Sequence, residues 1–220
     1  MRPTREDAER LVSGGKSPAR AAASVRRGSR ARTLRIIGGS WRGRKLRFPA
    51  SPAIRPTPDR VRETLFNWLG GAVHGARCLD LFAGSGALGL EALSRGAAHV
   101  SFVEQDAAAA RELQARLEEW QAQGAAVARR EALEYLAGTA TPFGVVFLDP
   151  PFDSDLLARC AQRLEAGGWL APGALIYAEC PARAGLPALP PAWRALKSRQ
   201  AGEVGYHLLA REPSAPPQPA

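Results

Sequence analysis

At the end of the apolar run Val145-Val146-Phe147-Leu148 stands Asp149-Pro150-Pro151-Phe152. These residue types suit one chemical problem. An exocyclic amine on an aromatic base is a weak nucleophile, because its lone pair is delocalised into the ring. Acceptors aimed at its two N–H bonds localise that pair and direct it at an electrophile. Asp149 supplies one acceptor and the Pro150 carbonyl another, and neither proline brings an N–H that would compete for the amine. Phe152 offers an apolar face on which a base taken out of its stack can rest. Read alone, the tetrapeptide is also compatible with a rigid strand-end turn whose aspartate caps the next helix.

Upstream lies Asp80-Leu-Phe-Ala-Gly84-Ser-Gly86-Ala-Leu-Gly89, with Glu104 twenty residues past Gly84. Gly84 and Gly86 allow a tight turn and close approach of a ligand to the backbone, ahead of a helix N-terminus. Glu104, at the end of the next strand, is placed to accept from two ribose hydroxyls. The pattern fits a dinucleotide site as well. Asp80 separates the two readings, because a carboxylate beside the loop repels a pyrophosphate and attracts the sulfonium and ammonium of S-adenosyl-L-methionine. Its alternative role is to cap the turn by binding local amides. Glu131 and Ala132, after the third strand of this series, fall where a doubly wound fold seats an adenine. With an activated sulfonium donor, catalysis reduces to alignment and acceptor placement. The proton then leaves toward Asp149 or water. The residues point to neither a covalent intermediate nor a metal.

The elements that must hold these groups alternate. Strands are expected at CLDLF, HVSFVEQD, AAVARR, FGVVFLDPP and ALIYAEC. Helices are expected at ALGLEALSRG, DAAAARELQARLEEWQAQG, ALEYLAG and DSDLLARCAQRLEAGG, and WRALKSRQ with VGYHLLARE reads as a closing hairpin. That order predicts an α/β class: a doubly wound, mostly parallel, seven-stranded Rossmann-like sheet with a small N-terminal extension. Ahead of it, LRIIGGSWRGRKLRFP predicts two short strands, and PDRVRETLFNWL a helix. Thr57 is expected as its N-cap, Pro58 in its first position, and Val61, Leu65, Trp68 and Leu69 on its core face. The expected segments are a disordered basic arm (1–33), a substrate-facing extension (34–75), the methyltransferase domain (76–212) and a disordered tail (213–220).

Charge is distributed unevenly. Residues 1–62 hold 17 Lys/Arg against 4 Asp/Glu, whereas the remainder holds 13 against 17, within a net charge of +9. A cationic end on a mildly acidic globule suits a polyanionic partner. Arg42, Arg44, Lys45 and Arg47 beside Trp41, followed by Arg55, Arg60 and Arg62, are the candidate RNA contacts, since guanidinium groups bind phosphate in bidentate fashion and stack on bases. A solvated charged face is the plainer alternative. The three cysteines, Cys78, Cys160 and Cys180, lie in or beside apolar segments without metal-ligand spacing and are expected as buried thiols in a reducing cytoplasm. There is no span of ~20 apolar residues and no secretory h-region, so no membrane association is expected.

Taken together, IRPTPDRVRETLFNWL, CLDLFAGSGALGLEALSRGA, FVEQD, VVFLDPPF and LRIIGGSWRGRKL resemble the bacterial small-subunit ribosomal RNA guanine-N2 methyltransferase family, from Leu34 to Glu212. The resemblance implies a class I fold, S-adenosyl-L-methionine as donor, and methylation of a guanine exocyclic amine in 16S rRNA. It also implies an assembling small subunit as partner; a monomer in the cytoplasm is expected. By position it assigns Asp80, Gly84, Gly86 and Glu104 to the cofactor and Asp149 through Phe152 to the base. Members often carry Asn or Asp where Glu131 stands, and 1–33 exceeds the family's expected length. The rival readings are an adenine-N6 nucleic-acid methyltransferase, a protein-amide methyltransferase, a nicotinamide-dependent oxidoreductase, and a non-catalytic RNA-binding module.

Overall fold

The structure, a computed structural model, describes residues 32–48 and 57–212. The expectations of a disordered arm and tail, and the candidate contact Arg55, lie outside the described residues apart from Arg32 and Thr33. These two already belong to a strand, β1 (Arg32–Arg35), which pairs antiparallel with β2 (Lys45–Phe48) and moves the boundary expected at Leu34 two residues earlier.

Helix α1 (Asp59–Leu69) leads into the alternating series β3 (Arg77–Asp80), α2 (Ala87–Ser94), β4 (His99–Val103), α3 (Ala107–Glu119), β5 (Ala125–Ala128), α4 (Ala132–Tyr135), β6 (Phe143–Leu148), α5 (Leu156–Ala166) and β7 (Leu170–Pro181). An antiparallel pair, β8 (Trp193–Ala201) and β9 (Val204–Arg211), completes the described chain. The order across the main sheet is β5-β4-β3-β6-β7-β9-β8, with β3 to β7 mutually parallel. β7 begins earlier than ALIYAEC predicts, because Leu170 pairs with Phe143 across a register irregularity before Leu175 meets Val145.

Parity sorts the two faces, as the two-residue period of a strand requires. Cys78, Phe102, Phe147 and Tyr177 meet Leu65 and Phe66 of α1, Leu90 of α2 and Leu113 of α3. Leu79, Val146, Leu148 and Ile176 meet Leu136 beside α4, and Leu157 and Leu164 of α5. The chain runs outward from β3 to β5 and then returns to its other side with β6. The sheet therefore reverses direction at β3, and a ligand crevice is expected at the carboxyl ends of the strands there. Gly89 is required by packing, since a Cβ on it would collide with the Phe102 ring of β4. The β8–β9 hairpin is fastened to α5 by Glu165, which accepts from Arg211 in bidentate fashion and from Trp193 Nε1. Among the described residues no helix is long and apolar enough to cross a membrane. Cys78, Cys160 and Cys180 are all buried and free.

Two expectations on α1 need correction. Thr57 is not its cap: the cap position is Pro58, without a side-chain bond, and the Thr57 hydroxyl is drawn instead to Glu179. Arg62 is not available to RNA, because its side chain is wholly buried. It shares the apolar stripe of Leu65, Phe66 and Leu69 and donates to the Arg35 carbonyl at 2.7 Å and to Asp59 at 2.6 Å.

Candidate active site

Register brings four carboxylates to one edge. Asp80 pairs with Phe102 on one side and Phe147 on the other, and Phe147 pairs with Tyr177. Glu104, Asp149 and Glu179 each lie two residues beyond one of those partners. Parity therefore puts all four acids on the face of the sheet that α1, α2 and α3 cover. They run in the order Glu104, Asp80, Asp149, Glu179 across β4, β3, β6 and β7.

Each is held differently. Asp80 is buried and accepts from Gly89 N at 3.0 Å, so it secures the first turn of α2 as well as facing the loop. Burial pushes its carboxyl up to about 7, the Gly89 amide partly opposing and the Glu104 charge adding to the rise. The glycine loop hands the chain into α2 at Gly86, which sits at φ 77° as the N-cap, a left-handed conformation that other residues seldom adopt. Glu104 is half-buried and takes Gly84 N and Asp106 N at 2.7 Å each, one on either oxygen. It thereby ties the glycine loop to the end of β4. Ala132 is buried in the first turn of α4, and Glu131 is exposed as the cap of that helix without a side-chain cap bond.

Asp149 follows β6 directly. Burial, with the Glu179 and Asp80 carboxylates adding to it, holds its carboxyl well above the usual carboxylate range. Pro150 is buried, Pro151 exposed and Phe152 half-buried, and the Pro151 carbonyl accepts from Ser154 Oγ at 2.6 Å. Asp149 therefore does not cap α5, whose cap position is Asp155. Glu179 is 4% exposed, and its Oε1 accepts from Tyr177 Oη at 2.7 Å and Thr57 Oγ1 at 3.1 Å. Burial raises it, while those two bonds pull the other way. Sequence reasoning passes over Glu179 and Tyr177 and reads Thr57 only as a helix cap. The available signal was an acid inside the otherwise apolar ALIYAEC, a costly placement that asks for partners.

The cationic residues separate. Arg60 is exposed on the first turn of α1, three residues past Thr57. Arg42, Arg44 and Lys45 are exposed at the other end of the covering helices, where Ser40 N donates to the carbonyl of Ser94 at the close of α2. There Arg44 lies over the rings of Trp41 and Trp120, at 5.9 and 5.3 Å. Trp120 directly follows α3, so ~20 Å of helix separates this cluster from the Glu104 end. The extension ahead of the main sheet therefore touches the carboxylate edge through Thr57 and not through its basic loop.

Comparison with known proteins gives a consistent picture. A family model described as Conserved hypothetical protein 95 matches residues 34–210. Ribosomal RNA small subunit methyltransferase D of Escherichia coli is 51% identical over 179 residues, which is 81% of this chain and 90% of that protein. A putative methyltransferase from Escherichia coli superimposes with a TM-score of 0.76 at 48% identity, covering 82% of this chain and 98% of the other. A 16S rRNA N2 methyltransferase from Thermus thermophilus, solved with AdoMet and guanosine, gives a TM-score of 0.57 at 27% identity, over 84% of this chain and 50% of that one.

Proposed function

This chain belongs to the Conserved hypothetical protein 95 family, and on that premise we propose that it is an S-adenosylmethionine-dependent methyltransferase of the guanine exocyclic N2 amine in 16S rRNA. It acts as a monomer in the cytoplasm on the assembling small subunit. The observation that carries this reading is the placement of Asp149, followed by two prolines and Phe152, beside Asp80 at the reversal point of a class I sheet.

The residues fit the cofactor by charge. Two carboxylates and a glycine turn suit a cationic nucleoside, and the same acids would repel a dinucleotide pyrophosphate. When bound, S-adenosylmethionine supplies a methyl group on a cationic sulfonium. Asp80 would face its positive charge, Glu104 would accept from its ribose, and Ala132 would lie beside the adenine. Asp149 and the Pro150 carbonyl accept from the two N–H bonds of the target amine, and Phe152 supports the base. As positive charge builds on that nitrogen, the proton passes to Asp149 or through it to water.

Cofactor affinity should depend on pH through Asp80. A carboxyl raised to about 7 is largely protonated below neutrality, and only its ionised form attracts a cation. Affinity should therefore fall by up to about tenfold per unit as pH drops below 7, and binding near neutrality should release a proton. In the unliganded protein the sign reverses: a raised acid makes folding less favourable as pH climbs through the same window. Calorimetry across that range checks both statements, and Asp80→Asn should flatten the affinity profile. An affinity in the parent protein that ignores pH would remove Asp80 from the cofactor site.

The basic loop should act on substrate docking alone. Neutralising Arg42 and Lys45 should raise KM and lower the log–log salt slope by about 0.7–0.9 per lost phosphate contact, with kcat within about twofold. Arg44 is excluded because of its packing on two indole rings. Digestion of labelled small subunits should yield N2-methylguanine. N6-methyladenine in its place would overturn the substrate, and a fall in kcat at constant KM would overturn the docking role.

A further inference from the structure

One buried acid on the carboxyl edge is not used by the mechanism above. Ala178 is in register with Leu148, so Glu179 and Asp149 are next neighbours on adjacent parallel strands, roughly 4.8 Å apart at the backbone. Both project on the same face of the sheet. Glu179 is 4% exposed, and two hydroxyls converge on its Oε1, one from Tyr177 on its own strand and one from Thr57 ahead of α1. Those bonds fix the orientation of the carboxylate, and among the described residues no donor reaches Oε2. An anchored, buried carboxylate with one oxygen left for a donor, set beside the group that holds the target amine, is built for a ligand's N–H.

We propose that Glu179 is the specificity-determining residue for guanine: its Oε2 accepts from the ring N1–H while Asp149 and the Pro150 carbonyl hold the adjacent N2 amine. The inference rests on the proposed function and adds to it the group that reads the base. Guanine presents two adjacent donors, N1–H and the N2 amine. Adenine presents its amine beside N1, which is an acceptor. A pair of carboxylates matches the first edge and opposes a lone pair on the second. A site of this kind rejects by leaving buried polar groups unpaired, which discriminates far more strongly than shape alone. Thr57 gives the reader a second property, since it connects Glu179 to the segment that leads into α1.

The test uses small-subunit particles reconstituted with either guanine or 2,6-diaminopurine at the methylated position. Diaminopurine keeps the 2-amine but turns N1 into an acceptor. The parent protein should methylate guanine at least about 100-fold faster than diaminopurine. In Glu179→Gln the side-chain amide can donate to the diaminopurine N1. Guanine methylation should then fall by at least about tenfold while diaminopurine methylation holds or rises, bringing the two within about tenfold. Binding of S-adenosylhomocysteine reports that the variant is folded. If it is not, Thr57→Val and Tyr177→Phe carry the test, each expected to narrow the preference several-fold. A preference unchanged by these substitutions, or equal losses on both bases, would overturn the role of Glu179. Failure of the parent protein to form N2-methylguanine on guanine particles would instead bring down the proposed function, and this inference with it.

Discussion

Replacing Asp149 with alanine should lower the single-turnover methylation rate by about 10²–10⁴-fold while cofactor affinity stays within about tenfold. The size follows from what the carboxylate does. A guanine amine left without its acceptor keeps its lone pair in the ring, and no other described side chain stands in the same position on β6 to replace it. The selectivity follows from geometry. Asp149 does not bond the glycine loop; Asp80 and Glu104 do, through Gly89 N and Gly84 N. Removing Asp149 leaves both of those loop bonds in place, so cofactor affinity should change little. Asp149→Asn retains an acceptor oxygen but loses the base, and should recover part of the rate with a weaker dependence on pH. In the parent protein the rate should fall as pH falls, because burial and the Glu179 and Asp80 charges hold the Asp149 carboxyl high, and protonation removes its negative charge and its capacity to take the proton. Rapid-quench measurement with saturating cofactor checks the rate. Near-normal turnover in Asp149→Ala would reduce the tetrapeptide to a strand-end turn.

What could be read in advance was what is contiguous. The glycine loop, Glu104 at its spacing, and the proline pair after an apolar strand each carry their meaning in a few consecutive residues, and alternation of strand and helix then sets their common edge. Glu179 is different. Its surroundings depend on β7 lying beside β6 and on Thr57, 122 residues away, folding over it. No local pattern encodes that. Arg62 is legible too, since Leu65, Phe66 and Leu69 stand three, four and seven positions on from it, the spacing of one helical face. The strength of a cationic run near the N-terminus hid a residue whose periodicity pointed inward. Asp80 shows a third case, in which the capping reading is met through the Gly89 amide at the same edge as the glycine loop.

Glu91→Ala should be the most damaging single change to stability away from the carboxylate edge, by about 3–5 kcal/mol, or roughly 6–20 °C in Tm. Glu91 lies in α2, every residue of which is buried. One oxygen accepts from Ile37 N at 2.8 Å and lies 3.6 Å from Arg62 Nη1; the other accepts from Gly38 N at 2.8 Å and Arg95 Nε at 2.7 Å. Arg62 Nε and Nη1 have no hydrogen-bond partner, so the Glu91 charge is the main compensation for a guanidinium kept from water. Alanine would leave that cation beside a void and orphan two amides of the segment between β1 and β2. The exposed Asp59 carboxylate, although 2.6 Å from Arg62, is screened by solvent and cannot substitute. If the loss comes from an uncompensated charge, Arg62→Met combined with Glu91→Leu should recover much of it, because replacing both partners with apolar groups removes the desolvation cost. The amides of Ile37 and Gly38 would remain unpaired, so recovery should stop short of the parent protein. Denaturant titration of the two single variants and the double variant measures the coupling. Additive losses would show that Glu91 holds the extension only through its backbone bonds.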